Sequence, residues 1–231
     1  MLNYWAMFDE NIKFLRENVK EAALISNRCP EDITIVVVTK GITADLVQKA
    51  VESGLNEIGE NRVQEAGTKV DLLKGLNINW HMVGHLQTNK VKYAVEMFDY
   101  LHSLDSLKLA HELEKNLLRK NKVMKVFIEV NISGEVCKFG INPNEADEMV
   151  NEVLKLPHLD LMGFMTVAPV VENAEDCRPY FKELKNLSED LGERFNRKFY
   201  LSMGMSDDFQ TAIEEGADFI RIGRAVFKER L

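Results

Sequence analysis

Residues 33–40 read ITIVVVTK. A continuous apolar run of this length, without polar alternation, is the pattern of a strand buried on both faces, as in a parallel sheet. Seven further runs follow it: NEIGE (56–60), INWHMVG (78–84), FDYLHSL (98–104), VMKVFIEVN (123–131), LDLMGFMT (159–166), RKFYLSM (197–203) and DFIRIG (218–223). Between them lie amphipathic patterns over 43–53, 61–75, 89–96, 106–120, 144–155, 174–193 and 207–215. Thr43, Ser106 and Ser206 stand where helix caps belong, and Gly54 and Gly216 close two of the helices. A leading helix over 3–28 carries Ile12, Leu15, Val19, Ala22 and Ala23 at helical spacing. Strands alternating with helices imply a parallel sheet with helical crossovers. Eight repeats with no residues left over favour a closed (β/α)8 TIM barrel preceded by one helix, in a single domain spanning 1–231.

Bulk composition narrows the function. The chain has 29 basic and 37 acidic residues, a net charge of −8, which argues against general nucleic-acid binding. Three scattered cysteines, Cys29, Cys137 and Cys177, form no C-x-x-C pair and suit a reducing cytoplasm. The opening MLNYWAMFDENIKFLRENVK is broken by charges and has no signal-peptide apolar region, and no run reaches the roughly 20 apolar residues of a membrane span. A cytoplasmic protein without nucleic-acid or membrane partners is the expectation.

In such a barrel the chemistry sits at the carboxyl ends of the strands, and phosphate groups are often held after strands seven and eight. SMGMS (202–206) and RIGRA (221–225) offer hydroxyls, backbone N–H groups and glycines there. Such glycines can also serve only to permit sharp turns; two at adjacent strand ends favour the anion site. Val36, Val38 and Lys40 share one strand face, so an inward-facing Val36 brings Lys40 to the mouth. Closure makes strand one the neighbour of strand eight and puts Lys40 beside the anion site, where its amine could attack an aldehyde. Arg221 lies on the last strand, also at the mouth, where it could instead pair with a helix carboxylate. His81 and His85 are four apart, but Gly84 is expected to end the strand between them and no acidic cluster accompanies them, so no metal site is expected.

The strings VVVTKG around Lys40, IGENRVQE (58–65), WHMVGHLQTNK (80–90), HSLDS (102–106), EVNISGEVCKFGI (129–141), GFMTVAP (163–169), LSMGMSDDF (201–209) and FIRIGRAVF (219–227) resemble, in order and over nearly the whole chain, the pyridoxal phosphate homeostasis proteins, relatives of the alanine racemase N-terminal barrel. The resemblance implies pyridoxal 5′-phosphate as cofactor, bound as a Schiff base on Lys40. It implies Ser202, Met203, Gly223 and Arg224 around the phosphate, Arg221 facing the pyridine nitrogen, and Asn61, Ser103 and Met165 lining the cofactor. An arginine there favours the unprotonated ring and makes a weaker electron sink than a carboxylate partner. The implied role is intracellular vitamin B6 homeostasis by a monomer that buffers the cofactor or hands it to apo-enzymes. Two positions depart from the family: Arg224 stands where threonine is common, and Lys228 where glycine is usual.

Two enzymatic readings stand beside this one. A pyridoxal-phosphate amino-acid racemase needs a base on each face of the substrate. Alanine racemase supplies one from a second chain and carries a β-domain that this chain is expected to lack. A cofactor-free Schiff-base aldolase would need acid/base groups near Lys40, for which Glu60 and the histidines are the candidates.

Overall fold

In the computed structural model, which describes residues 2–227, the ITIVVVT run becomes strand β1, Thr34–Val38. After it come α2 (Ala44–Glu52), β2 (Glu57–Glu60), α3 (Val63–Leu72), β3 (Asn79–Met82), α4 (Val91–Met97), β4 (Tyr100–Leu104), α5 (Leu107–Lys120) and β5 (Met124–Glu129). The chain continues through α6 (Ala146–Val153), β6 (Leu159–Met165), α7 (Arg178–Phe195), β7 (Tyr200–Ser202), α8 (Phe209–Glu214), β8 (Phe219–Ile222) and the short α9 (Arg224–Phe227). All eight strands pair in parallel and in chain order, and β8 returns to β1 to close the barrel. At that seam Val36 stands opposite Arg221 and Val37 opposite Ile222. The (β/α)8 barrel expected from the alternating runs is the observed fold.

Helix α1 (Leu2–Ile25) precedes the barrel and packs on α8 and α9. Asn11 Nδ2 donates to the carbonyl of Val226, and the Phe8 ring lies 5.9 Å from that of Phe227. This helix stops three residues before the expected end. Asn27 turns into the left-handed region at φ 56°, and the N–H of Arg28 closes back on the carbonyl of Ala23. Arg28 then points to the foot of β8, where it pairs with Asp218 at 2.8 Å.

Two other helix starts move for local reasons. The segment expected to be helical from 174 begins as a 3-10 turn, Ala174–Cys177, whose N-cap Asn173 accepts the N–H of Glu175. Ser106 caps α5 as expected, accepting the N–H of Leu109, whereas Thr43 occupies the cap position of α2 without a side-chain bond. Ser206 does not cap α8. Asp208 holds the cap position without a side-chain cap bond, its carboxylate taking the N–H of Met205 in the preceding loop, and Ser206 Oγ accepts from the N–H of Ala225 in α9. Lys228, one of the two departures from the family pattern, lies outside the described residues.

Two cores result. Outward-facing strand residues such as Val37, Ile58, Leu101, Ile128, Phe164 and Ile220 pack against the helices. Inside, Val36, Tyr100, Phe127, Met165 and Phe219 form a second cluster. The interior is not wholly apolar: His81, His102, Ser202 and Arg221 are all buried there. No described helix is long and apolar enough to cross a membrane.

Candidate active site at the barrel mouth

Period-two alternation carries the inner face of β1 from Val36 through Val38 to Lys40. Both Val38 and Lys40 line a cavity of about 630 Å3 at the carboxyl ends of the strands. Ile42, Asn61, Val83 and Val167 form its other near walls, and Met205, Ser206, Arg221, Gly223 and Arg224 line the side of β7 and β8. The volume suits a small cofactor, for which sites usually span about 300–1,000 Å3. Lys40 itself is exposed, in the turn that ends β1.

That turn is held from below. Lys69 on α3 is buried, and its Nζ donates to the carbonyl of Thr39 at 2.5 Å, to Glu60 Oε1 at 2.5 Å and to Glu65 Oε1 at 3.1 Å. Glu65 also accepts the N–H of Gly41 at 2.5 Å, and Thr39 Oγ1 donates to Glu60. Both peptides flanking Lys40 are thereby tied to α3. Burial pushes the Glu60 carboxyl up, against the pull of Lys69 and Thr39. Glu60 therefore serves the turn from beneath and is not among the residues that line the cavity.

Arg221 reaches the cavity from β8 and is 5% exposed. One of its terminal nitrogens donates to Ser202 Oγ at 2.7 Å and the other to the carbonyl of Thr166 at 2.8 Å. These partners are neutral oxygens, not the helix carboxylate that a structural arginine would seek. Of the five N–H donors on a guanidinium, these bonds leave others for a ligand. Burial lowers Arg221 to about 10, opposed by Glu129 and Asp208, so it stays charged at neutral pH.

On the phosphate side the structure redistributes the expected roles. Ser202 faces the lumen below the cavity, its hydroxyl taken by Arg221 and His102. Met203 turns outward into the helix-facing core, and its N–H is bonded to the carbonyl of Phe219. The residues of that loop that line the cavity are Met205 and Ser206, with Gly223 and Arg224 opposite. Gly204 permits the tight passage between them: its φ is +89°, and a Cβ there would lie 2.5 Å from the Cβ of Ala212. Arg224 lines the cavity but also pairs with Asp207, so this cation has a carboxylate beside it.

Asn61 lines the opposite wall, and its buried Oδ1 has no partner among the described residues. A buried amide oxygen left without a donor is costly and points to a donor supplied by a ligand. Ser103 lies behind it, donating to the carbonyl of Gly84 at 2.6 Å. Gly84 in turn packs so closely that a Cβ would lie 2.5 Å from the carbonyl oxygen of Asn61. Met165 is buried in the inner cluster beneath the cavity. Ser103 and Met165 thus support the floor and wall and do not line the opening.

The two histidines diverge. His81 lies inside the barrel, bonded to Glu57 and His102, while His85 pairs with Asp105 at 2.9 Å and stacks on Phe139. Among the described residues no cluster of three metal-ligating side chains occurs. The sequence reading passed over Glu129. It ends β5 on the inner face shared with Phe127, and alternation along MKVFIE was the available signal. Burial, reinforced by repulsion from Asp105 and opposed by Arg221, raises its carboxyl to about 7.

Comparison with known proteins agrees with this fold. Residues 11–230 match the family described as alanine racemase, N-terminal domain. The chain is also 40% identical, over 96% of its length and 97% of the relative's, to the pyridoxal phosphate homeostasis protein of Aquifex aeolicus. The chain belongs to this family. PipY of Synechococcus elongatus, solved with PLP bound, superposes with a TM-score of 0.80 at 30% identity, covering 91% of this chain and 99% of PipY. Alanine racemase of Clostridium difficile shares the fold, with a TM-score of 0.76 at 15% identity, and the match spans 57% of that longer chain.

Proposed function

We propose that this member of the family binds pyridoxal 5′-phosphate at the barrel mouth and serves vitamin B6 homeostasis in the cytoplasm, holding the cofactor and yielding it to apo-enzymes as a monomer. The observation that carries the reading is the meeting of one lysine amine, one buried arginine and the turns after β7 and β8 in a single cavity. When bound, the cofactor would supply an aldehyde able to form a Schiff base with an amine, with loss of water. Lys40 is the amine. Ser206, the N–H groups of Gly223 and Arg224, and the Arg224 side chain receive the phosphate, with Ser202 and Met203 supporting that loop from below. Asn61 takes a donor from the ligand through its orphaned Oδ1, and Arg221 faces the ring nitrogen. A cation in that place leaves the ring a weak electron sink, which favours holding the cofactor over racemising an amino acid.

Adding pyridoxal 5′-phosphate to the purified protein should produce a near-visible absorption band, and borohydride should abolish the band and fix the cofactor to the peptide containing Lys40. Lys40→Ala should show neither change. A protein that stays colourless with the cofactor, or a label on another lysine, overturns the reading. Robust interconversion of L- and D-alanine would move it to the racemases.

A further inference from the structure

A file of polar groups runs through the lumen, from the amino-terminal end of the barrel to the wall of the cavity. Glu57 Oε2 lies 2.7 Å from His81 Nε2, and His81 Nδ1 lies 2.8 Å from His102 Nε2. His102 Nδ1 is 2.8 Å from Ser202 Oγ, and Ser202 Oγ receives Arg221 at 2.7 Å. The chain begins on β2, steps to β3 and β4, crosses the lumen to β7 and ends on β8. Both histidines are fully buried, whereas the Glu57 side chain is 27% exposed at the foot, where Asn79 also donates to it. Rings fix the imidazoles in place: Tyr100 stacks on His81 at 4.2 Å and Phe127 on His102 at 4.6 Å.

The two ends fix the direction of every bond between them. A guanidinium only donates, so Ser202 Oγ accepts from Arg221 and has its single O–H left to donate to His102 Nδ1. A neutral His102 then carries its proton on Nε2 and donates to His81 Nδ1. His81 likewise carries its proton on Nε2 and donates to the Glu57 carboxylate, which only accepts. One set of tautomers satisfies every atom. Burial lowers both imidazoles, His102 well below the usual range, which keeps the rings uncharged. Burial works to raise Glu57, but hydrogen bonds from His81 and Asn79 hold its carboxyl low. The other charged groups facing the file are Asp99 and Lys125 near His81, and Glu129 and Asp208 near Arg221.

We propose that Glu57, His81, His102 and Ser202 form a one-directional hydrogen-bond chain that positions Arg221 against the ring nitrogen of the ligand, so that a carboxylate at the foot of the barrel acts at its mouth. These are positioning residues, and the inference rests on the reading of Arg221 given above. Aligned donors polarise one another, so a carboxylate at the far end makes Ser202 a better acceptor and restrains Arg221 more firmly.

Two measurements test it. In protein free of cofactor, 15N NMR of the side chains near neutral pH should show His81 and His102 as neutral rings with the proton on Nε2; an Nδ1–H tautomer or a charged ring at either position overturns the chain. The second compares pyridoxal 5′-phosphate with its deaza analogue, in which carbon replaces the ring nitrogen. The unmodified protein should bind the natural ligand about tenfold more tightly. In Glu57→Gln and Ser202→Ala that preference should shrink about fivefold through loss of the natural ligand alone. A general structural defect would weaken both ligands equally, and that result, or an unchanged preference, overturns the chain. Equal affinity of the unmodified protein for the two ligands overturns the placement of Arg221 at the ring nitrogen, and the proposal with it.

Discussion

Lys69 Nζ donates to the carbonyl oxygen of Thr39 at 2.5 Å, so the residue ahead of Lys40 is held by a second, buried lysine that does not line the cavity. The same ammonium pairs with Glu60, whose side chain is fully buried. Removing one partner of a buried ion pair leaves the other charge without compensation, at a cost of about 3–5 kcal/mol. Lys69→Met is therefore expected to lower stability by about that amount and to weaken cofactor retention by loosening the turn. Glu60→Gln combined with Lys69→Met should recover much of the stability, since no buried charge is then stranded. Denaturant unfolding of the two single variants and the double variant measures this directly; additive losses would refute the coupling.

Glu129 gives the pH dependence. Its carboxyl is raised from 4.5 to about 7, chiefly by burial. Across that window the folded protein binds a proton that the unfolded chain has already released, so stability contributed by the protonated form is lost as pH rises through about 7. The buried histidines act in the opposite sense, because their lowered values make the unfolded chain the better proton acceptor. Comparison with Glu129→Gln separates the two. The variant should match the wild type in acid and exceed it by about 3 kcal/mol at roughly pH 8, an upper figure from the rise of the carboxyl to about 7. Melting temperatures of both proteins across this range decide it. Parallel curves would mean that Glu129 does not titrate there.

The barrel was readable from sequence because both of its periods were intact. Apolar runs such as ITIVVVT marked the strands, and helical spacing marked the crossovers between them. Lys40 was readable for the same reason, since alternation from Val36 fixes its direction. The loop after β7 was less so: Ser202 and Ser206 are the same residue type four positions apart, and only the course of the backbone at Gly204 shows which hydroxyl reaches the cavity. Lys69 looked like an ordinary helix lysine and Glu60 like an acid/base candidate for the mouth, because their meeting depends on how α3 packs beneath the first turn. His81 and His102 stand on different strands, and their contact with Ser202 spans the lumen, which no local pattern encodes.

Gly204 separates the supporting and the ligand-facing halves of the β7 loop. Alanine there would be strained twice, by a φ of +89° and by a Cβ 2.5 Å from Ala212 Cβ and 3.0 Å from Phe209 Cα. Gly204→Ala is expected to cost about 1–3 kcal/mol and to displace Ser206, weakening the phosphorylated cofactor more than pyridoxal. Calorimetric titration with the two ligands reads the difference; an equal loss for both would place the disturbance outside the phosphate region.

Arg224 tests how much of the phosphate affinity is surface charge. Its side chain is 58% exposed and pairs with Asp207 at 72% exposure, so the pair itself contributes only about 0–1 kcal/mol. The Arg224 backbone N–H and that of Gly223 remain whatever the side chain is. Arg224→Thr should therefore reduce pyridoxal 5′-phosphate affinity by less than about tenfold and leave stability within about 0.5 kcal/mol. Asp207→Asn should move affinity the other way, because it removes a carboxylate beside the bound anion. Both effects should fade as salt rises, since exposed charges are screened beyond about 10 Å at 0.1 M ionic strength. Titrations at low and high salt with wild type and both variants check the sign and the screening together, and a loss from Arg224→Thr that persists undiminished at high salt would mean that the guanidinium contacts the phosphate in a desolvated site.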